Sequence, residues 1–558
     1  MTDRFALHYV PDAYASGGHK PMARQAAGAG LLRAVAQSAA LERVGCFSDG
    51  EAHAKACESL LRAHGYQGQV ERIAHGRPQD IGHYGTLYHP APGIERLAWR
   101  RLGIGERRYS LCGLAHSTAS HAGMSALAGL LAAPVRSWDA VICPSRVVRD
   151  SVRQILERQA DYLRARLGAQ RFELPQLPLI PLGVHCADLD IDGGRRSAAR
   201  RMLEIGDGDV AFLCAGRLSF QTGAHPQQMF SALERAQQQV RQGGQPDRRV
   251  HLILCGAFAG DAVPQAFHEA AAALCPSIRL VLLDEREADK RQDAWAAADV
   301  FTSLADSVQD SFGLAALEAM AARLPCVVSD WNGYRDTVRD GVDGYRIPTV
   351  MPGAGAGLDL AQRYDDGVDS YDMYCGHTSQ AVAVDGVQLA QAYARLIDDV
   401  DLRRQLGESG RLRALQEFDW AVVFARYRAL WSELDERRRA DAALVPPLPQ
   451  VVPDRQDPFA LFASYPSAQI TPASLVTLAP DASLALLRQY RELAINRFAA
   501  ASLPTLEEFG LIFGSIESQP MQVDELLDTL GPCDRPTLLR GLVWLSKMDL
   551  LQVGGGDE

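Results

Sequence analysis

Two acidic residues flank a predicted helix start in the stretch Gln309–Tyr334, which reads QDSFGLAALEAMAARLPCVVSDWNGY. Apolar residues recur at helical spacing from Leu314 onward, so either Asp310 or Ser311 is predicted to cap the helix. Glu318 follows about two turns later on roughly the same face. A helix N-terminus presents free N–H groups that bind anions, and carboxylates accept hydrogen bonds from hydroxyls. The stretch therefore predicts a site for a ligand that combines phosphate with sugar hydroxyls.

This stretch resembles the signature of the retaining glycosyltransferases of family 4. That signature is Glu, seven residues and Glu, with Phe-Gly-Leu after the first acid; here Asp310 and Glu318 take the two acidic positions. The continuation DGVDGY, at Asp340–Tyr345, also matches the family. The alternative is an ordinary helix–strand unit of a doubly wound sheet with incidental acids. The agreement in register along the whole stretch favours the resemblance.

The resemblance implies a role for each matching residue. Glu318 would hold the ribose hydroxyls of a nucleotide sugar, and Asp310 would hold the outer hydroxyls of the sugar. The backbone of Ser311, Phe312, Gly313 and Leu314 would lie beside the sugar and the diphosphate. Asp310 is one methylene shorter than the usual glutamate, which reduces its reach by roughly 1.5 Å.

A second matching segment is FLCAGRL, at Phe212–Leu218. In the family, the arginine after the glycine grips the donor diphosphate, so the resemblance assigns this role to Arg217, next to Gly216. Family members usually carry a lysine several residues later, whereas this chain reads SFQTGAH at Ser219–His225. Losing a cation there removes charge stabilisation of the leaving group. Either Arg217 works with backbone amides and a residue from elsewhere, or the protein has weak or no transferase activity.

Two segments of the first half resemble the family more loosely. Gly17 and Gly18 lie after the first predicted strand, where the family has a glycine-rich loop that approaches the donor phosphate and the acceptor. His116 lies where family members place a histidine facing the donor sugar, so it is a candidate catalytic residue; a structural histidine is the alternative. The aromatic segment Tyr371–Gly376 is an unusual insertion and a candidate cap for the cleft.

Short apolar runs alternate with helical patterns, which predicts parallel sheets covered on both faces. The first predicted strands are Phe5–Val10, Val44–Ser48, Gly85–His89, Tyr109–Leu114, Ala140–Cys143 and Leu179–Pro181. A second series comprises Val210–Ala215, Val250–Cys255, Ile278–Leu283, Val300–Ser303 and Cys326–Ser329. The sequence therefore predicts an α/β fold of the GT-B type, in which two Rossmann-like, doubly wound domains face a cleft.

We expect the chain to be divided into five segments. Residues 1–190 are the N-terminal, acceptor-side Rossmann-like domain, 191–400 the nucleotide-sugar domain, and 401–440 the closing helices that pack back on the first domain. Residues 441–458 are a proline-rich linker, and 459–553 are a small, mainly α, winged-helix-like domain. Its few basic residues among many acids favour contact with a protein partner or with a second copy of the chain over DNA binding.

Composition limits the class of protein. The 558 residues are 47% hydrophobic and 22% charged, as in globular proteins of several domains, and the net charge of −11 argues against general binding to nucleic acid. We expect no signal peptide and no integral membrane segment, since the longest apolar run, Met124–Val135, is too short to span a bilayer. The 11 cysteines include no CxxC pair, which indicates a reducing compartment. We therefore expect a cytoplasmic protein.

The chain contains a DxD motif at Asp190–Asp192. In another transferase fold such a motif holds a metal against the diphosphate of the donor, but here it lies in the predicted connection between domains. We expect no cofactor and no obligatory metal. The leading hypothesis is a retaining transferase that moves a hexose from a nucleotide-diphosphate sugar to a hydroxyl acceptor: a polysaccharide, a small molecule or a protein. The alternatives are a weak or inactive GT-B scaffold that binds a nucleotide or glycan, and another GT-B enzyme such as a nucleotide-sugar epimerase.

Overall fold

The structure, a computed structural model, describes residues 4–14, 23–244, 248–258, 260, 262–284, 286–441, 444, 446–450, 452–531 and 534–554. The chain forms two compact units, Met1–Val452 and Pro453–Glu558. Within the described residues, no helix combines the length and the apolar character needed to cross a membrane. The described cysteines form no disulfide bonds with one another.

Two six-stranded parallel sheets form the first unit. Their strands are β1 (Ala6–His8), β2 (Arg43–Ser48), β3 (Gln69–Ala74), β4 (Thr86–Tyr88), β5 (Ser110–Leu114), β6 (Ala140–Ile142), β7 (Val210–Leu218), β8 (Val250–Phe258), β9 (Arg279–Asp284), β10 (Val300–Ser303), β11 (Cys326–Ser329) and β12 (Gly344–Ile347). The strand orders are β3-β2-β1-β4-β5-β6 and β12-β11-β10-β7-β8-β9. Each sheet thus has the doubly wound Rossmann order, confirming the predicted fold class.

Helices connect and cover these strands. Those of the first unit are α1 (Pro11–Tyr14), α2 (Ala23–Gln37), α3 (Glu51–Ala63), α4 (Glu95–Leu102), α5 (His121–Gly129), α6 (Arg146–Leu167), α7 (Gly193–Met202), α8 (Gln227–Gln242), α9 (Val263–Leu274), α10 (Ala288–Ala297), α11 (Leu314–Ala321), α12 (Tyr334–Thr337), α13 (Leu358–Asp365), α14 (Tyr371–Ser379), α15 (Gly386–Asp398), α16 (Val400–Arg413) and α17 (Trp420–Asp441). Short 3-10 helices lie at Pro78–Tyr84 and Cys186–Leu189, a π-helix lies at Ala414–Phe418, and the strands β13 (Thr349–Val350) and β14 (Ala383–Val384) form a small antiparallel pair.

Both faces of each large sheet are buried, which explains why the strands read as continuous apolar runs. In β5, Leu111 and Cys112 point to opposite faces and enter different apolar clusters. In β7, Phe212 and Leu213 divide between two clusters in the same way. The cluster on one face draws residues from both sheets and from α17, so the two halves of this unit share a core.

The sequence misplaced several elements. The predicted strand Leu179–Pro181 is wrong, because this segment makes only an isolated bridge between Cys143 and Leu179. The strands β3 and β12 were not predicted. β3 reads QVERIA at an edge of the sheet and buries only Ile73, and β12 reads GYRI at an edge of the other sheet, so neither presents a continuous apolar run.

The second unit is small and mainly helical. Its elements are α18 (Pro458–Leu461), β15 (Leu475–Leu478), α19 (Leu484–Glu492), α20 (Ala494–Arg497), a 3-10 helix (Phe498–Ser502), α21 (Leu506–Ile516), β16 (Met521–Gln522), α22 (Val523–Thr529), α23 (Arg535–Lys547) and β17 (Leu551–Gly554). The three strands form an antiparallel sheet in the order β16-β15-β17. Leu487, Phe509, Ile512 and Leu545 belong to its separate apolar core.

The closing helices return the chain to the first sheet. Val184 donates a backbone hydrogen bond to Phe418 at 2.9 Å and accepts one from Trp420 at 3.1 Å. The Trp420 indole is buried and lies directly against two glycines: an added Cβ would come within 2.4 Å of the ring at Gly30 and within 2.5 Å at Gly183. The absence of side chains at these two glycines therefore makes room for the indole.

Replacing Gly183 with alanine should destabilise the first unit. The added methyl would overlap the indole of Trp420, and overpacking of this kind typically costs about 1–3 kcal/mol. We expect the urea midpoint to fall, as measured by tryptophan fluorescence and circular dichroism. Gly193→Ala is the matched control, because a Cβ at Gly193 would meet nothing within 4 Å. Equal midpoints for the two variants would contradict this packing role.

Candidate active site

A cavity of about 1160 Å³ lies at the carboxyl ends of both large sheets. The loops after β4 and β5 line it from the first half, and the loops after β7 and β10 line it from the second. Its wall includes the following residues singled out from the sequence: His116, Gly216, Arg217, Asp310, Ser311, Phe312, Gly313, Leu314 and Glu318. The predicted glycine-rich loop with Gly17 and Gly18 lies outside the described residues. The cavity has the position expected for ligands of doubly wound sheets.

The segment 310–313 is a separate loop before α11. The helix begins at Leu314, after Gly313 in the left-handed conformation with φ 80°. The prediction that Asp310 or Ser311 caps the helix is therefore wrong. Glycine adopts this conformation without a Cβ clash, so the chain reverses at Gly313 before helical geometry starts. The free N–H groups of the helix consequently belong to residues from Leu314 onward.

Asp310 is joined to the turn after β11. Its carbonyl accepts a hydrogen bond from Asn332 Nδ2 at 3.2 Å. Burial raises the pKa of Asp310, and the nearby N–H groups of Phe312 and Asn332 oppose this effect. The bond from Asn332 fixes the loop that carries the carboxylate on the cavity wall.

The turn after β11 shapes this loop from behind. Asn332 has φ 43° and its side-chain oxygen accepts a hydrogen bond from the N–H of Tyr334 at 3.0 Å. The Tyr334 ring fills the space where a side chain at residue 313 would begin, since a Cβ on Gly313 would lie 2.0 Å from it. The Tyr334 hydroxyl donates to Ser303 Oγ at 2.8 Å. The Tyr334 ring therefore packs directly against the backbone of Gly313.

Hydrogen bonds across the cavity join the loop to the first half. Ser311 Oγ donates to the carbonyl of His116, and the carbonyl of Ser311 accepts from Ser145 Oγ at 3.0 Å. Nearby, the backbone N–H of Arg146 donates to Asp336 Oδ2 at 2.6 Å. These contacts hold the two walls in register beside the loop that carries Asp310.

Glu318 lies on α11 and contacts an arginine of α10. Arg291 Nη2 lies 2.6 Å from Glu318 Oε1, and both residues line the cavity. A guanidinium beside a carboxylate fixes the orientation of the acid while its charge is balanced. The sequence did not predict this pair, because nothing in the local pattern links residues on two separate helices.

Arg217 follows Gly216 near the end of β7. Arg217 Nη2 lies 3.4 Å from Asp372 Oδ2 of α14, and the Arg217 side chain is 24% exposed. The chain then turns tightly, because Ser219 Oγ accepts backbone hydrogen bonds from Gln221 and Thr222. Thr222 lies on the cavity wall in the segment where the family usually has a lysine.

His116 lies at the end of β5, at the cavity wall. Burial lowers the pKa of His116 to about 4, helped by the positive charge of Arg24 and opposed by a hydrogen bond to the Pro90 carbonyl. The imidazole is therefore neutral at pH 7. The ring nitrogen that carries no proton is able to accept a hydrogen bond from a ligand hydroxyl.

The aromatic insertion belongs to α14. Tyr371, the first residue of this helix, lines the cavity, and burial raises its pKa while the nearby Ser117 side chain lowers it. The insertion thus brings Tyr371 to the cavity wall and Asp372 to Arg217, which also lines the cavity. Only its aromatic composition marked it in the sequence.

Asp306 is a further acidic residue beside the site that the sequence did not single out. It follows β10, is 6% exposed, and accepts a hydrogen bond from the backbone N–H of His225 at 3.3 Å. This hydrogen bond therefore fixes His225, at the end of the loop that follows Arg217. Burial raises the pKa of Asp306 to about 7, and the hydrogen bond from His225 opposes this shift.

Comparison with known proteins adds independent information. Residues 210–357 match the family model described as "Glycosyl transferases group 1". A D-inositol 3-phosphate glycosyltransferase of Geodermatophilus obscurus is 31% identical over 209 residues, which are 37% of this chain and 44% of that protein. An alpha-maltose-1-phosphate synthase of Mycolicibacterium smegmatis is 30% identical over 180 residues, 31% of this chain and 38% of that protein. The chain thus spans less than half the length of these relatives.

A crystal structure of Anabaena HepE in complex with UDP superposes with a TM-score of 0.50 at 18% identity, and the match covers 77% of this chain and 99% of that one. This likeness shows the fold. Together with the matches in sequence, it establishes that the chain resembles the group 1 glycosyltransferases and has the GT-B architecture. The resemblance predicted from the signature around Asp310 and Glu318 is confirmed.

The titration of Asp306 should be visible in the stability of the protein. Its pKa rises from 3.8 in the unfolded chain to about 7 in the folded protein, so between these values the folded protein retains a proton that the unfolded chain has lost. Its contribution to stability is therefore fully present below pH 4 and is lost as the pH rises to 7, by roughly 2–4 kcal/mol. Asp306→Asn removes this loss.

We compare the urea midpoints of Asp306→Asn and the wild type at pH 4.5 and at pH 8. The midpoint of the variant minus that of the wild type should be larger at pH 8. Asparagine keeps a side-chain oxygen that is able to accept the bond from His225. Asp207→Asn, on an exposed turn, is the control for the change of residue type. A difference from wild type that is the same at both pH values would refute the raised pKa.

Proposed function

We propose that this chain is a retaining glycosyltransferase that moves a hexose from a nucleotide-diphosphate sugar to a hydroxyl acceptor. One observation carries the proposal: Asp310 and Glu318 of the signature and Arg217 of the second matching segment line one cavity at the carboxyl ends of both sheets. The match to the group 1 transferases over residues 210–357, which contain all three, supports it.

Each residue has a role in this proposal. Glu318, oriented by Arg291, accepts hydrogen bonds from the ribose hydroxyls. Asp310 accepts hydrogen bonds from the outer hydroxyls of the donor sugar, and the neutral His116 does so from the opposite wall. Arg217 and the N–H groups at the start of α11 neutralise the diphosphate as it leaves.

The proposed reaction needs no covalent link to the enzyme. The acceptor hydroxyl forms the new bond to the anomeric carbon on the face from which the diphosphate departs, so the configuration is retained. The departing phosphate oxygen takes up the proton of that hydroxyl. The enzyme contributes orientation and charge, and enclosure of the cavity excludes the water that would hydrolyse the donor.

Two parts of the proposal rest on the sequence. We propose that no metal is obligatory, since arginine and backbone N–H groups are assigned to the diphosphate; activity should then survive chelation by EDTA. We also propose a cytoplasmic location, where nucleotide sugars would be available to this site. The acceptor is assigned by class only, as a hydroxyl.

A second candidate is a GT-B protein that binds a nucleotide or glycan without transferring sugar. Two observations favour it: Thr222 lies on the wall in the segment where the family has a lysine, and Asp372 contacts Arg217. Binding of a nucleotide sugar without turnover or hydrolysis, under conditions in which the protein is folded, would support this role. Transfer to any acceptor would exclude it.

Nucleotide-sugar binding should depend on Glu318 and Arg217. We expect one member of a panel of UDP-, GDP- and ADP-sugars to stabilise the wild type by about 2.7 kcal/mol at one hundred times its Kd. The UDP compounds are tested first, because HepE was crystallised with UDP. Glu318→Ala and Arg217→Ala should each weaken binding about tenfold or more, since each removes a charge-assisted contact. Calorimetry and thermal shift measure both effects.

An exposed ion pair of α3 supplies matched controls. Glu58 and Arg62 lie 3.4 Å apart and both are over 40% exposed, so Glu58→Ala and Arg62→Ala remove the same charges away from the cavity. These variants should bind the nucleotide sugar as the wild type does. If no member of the panel binds to the folded wild-type protein, the donor site is refuted.

The stereochemical outcome tests the mechanism separately from binding. Proton NMR of the first product, recorded before it mutarotates, should show the anomeric configuration of the donor. An inverted product would refute the same-face mechanism while leaving the donor site intact. Retention and inversion are distinguishable both when the sugar is transferred to an acceptor and when the donor is hydrolysed by water.

A further inference from the structure

The segment 358–379, which contains α13 and α14, contacts the first half of the cleft through an aromatic stack. The rings of His121 and Tyr364 are 3.6 Å apart between centroids and 22° from parallel. The backbone N–H of His121 also donates to the Tyr364 hydroxyl at 3.5 Å. The Tyr374 ring also stacks on Tyr364, with 4.8 Å between the centroids. The segment is thereby attached to the start of α5, which lines the cavity.

The same segment rests on the loop that follows Arg217. Gln221 Nε2 donates to Met373 Sδ at 3.7 Å, and a Cβ on Gly376 would lie 3.3 Å from the Gln221 side chain. Tyr371 of the same segment lines the cavity. The segment therefore contacts both walls of the proposed donor site.

Asp369 joins the two helices of the segment. Its carboxylate accepts hydrogen bonds from Arg363 at 2.8 and 2.9 Å, and it lies 3.1 Å from the His377 ring nitrogen. These bonds tie α13 to α14. A displacement of Asp372 is therefore expected to move both helices together.

Asp372 forms an ion pair with Arg217, whose guanidinium the proposed function assigns to the donor diphosphate. Asp372 Oδ2 lies 3.4 Å from Arg217 Nη2, and the two side chains are 48% and 24% exposed. A carboxylate and a phosphate oxygen compete for the same N–H donors. Exposed ion pairs are weak, so a diphosphate is able to displace this carboxylate.

We propose that the segment 358–379 is a gate over the donor site and that Asp372 competes with the donor diphosphate for Arg217. The inference rests on the proposed donor site. It adds that binding of the donor changes the position of the gate. When the diphosphate binds Arg217, Asp372 leaves, and the aromatic contacts to His121 are the next to change. The opposite role, in which Asp372 holds Arg217 ready for the donor, predicts the opposite sign in the experiment below.

The test is calorimetric titration with inorganic pyrophosphate and with UDP. Asp372→Asn and Asp372→Ala should bind both about three- to tenfold more tightly than the wild type, since the variants lose both the competing contact and its negative charge. Uridine, which has no phosphate, should bind all proteins equally. Asp365→Asn, an exposed residue of α13, makes the same change of charge within the segment and should leave every affinity unchanged.

A double-mutant cycle attributes the effect to Arg217. In the Arg217→Ala background, Asp372→Ala should no longer tighten binding of pyrophosphate. Weaker or unchanged binding by both Asp372 variants overturns the gate, while UDP binding to the wild type leaves the donor site standing. Failure of pyrophosphate and of UDP to bind any of the folded proteins overturns the gate, and the donor site is overturned as well if the GDP- and ADP-sugars of the panel also fail to bind. Tighter binding of uridine as well would mean general loosening of the cleft, which also overturns the gate.

Discussion

The backbone hydrogen bonds between Val184 and the segment 418–420 fix the relation of the two halves of the first unit. Val184 belongs to the connection that leaves the first sheet, and Trp420 starts the helix that returns to it. The indole of Trp420 lies directly on Gly30 and Gly183, so it fixes the distance between the connection that contains Val184 and the helix α17. The width of the cavity between the carboxyl ends of the sheets depends on this contact. The hydrogen bonds of Ser311 with Ser145 and His116, which cross the cavity, depend on that width.

Three arginines in or beside the cavity are paired with carboxylates. Arg217 contacts Asp372, Arg291 contacts Glu318, and Arg286 contacts Asp284. A dianionic ligand that binds these arginines therefore exchanges existing ion pairs for new ones. Because Arg286 and Arg291 are largely exposed, water screens their pairs and makes such exchange inexpensive. In the proposed donor site, this exchange makes the binding of a phosphate-containing ligand reversible.

The sequence predicted the parts of the fold that depend on local pattern. Continuous apolar runs located β7, β10 and β11, and the signature placed Asp310 and Glu318 on the same wall. It could not predict the loop at 310–313, because the left-handed turn at Gly313 is set by the Tyr334 ring packed behind it. Arg291 and Asp306 were missed for the same reason: their partners lie in other elements, and only the folded chain brings them together.

The missing lysine and the gate act on the same part of the site. A diphosphate carries more negative charge than Arg217 alone balances, and the start of α11 adds roughly half a positive charge. With Asp372 in place, the charge of Arg217 is already compensated, so the remaining attraction comes mainly from backbone N–H groups. Departure of Asp372 restores one full positive charge where the family has two. Transferase activity without the lysine is therefore most easily reconciled with a site in which the gate opens when the donor binds.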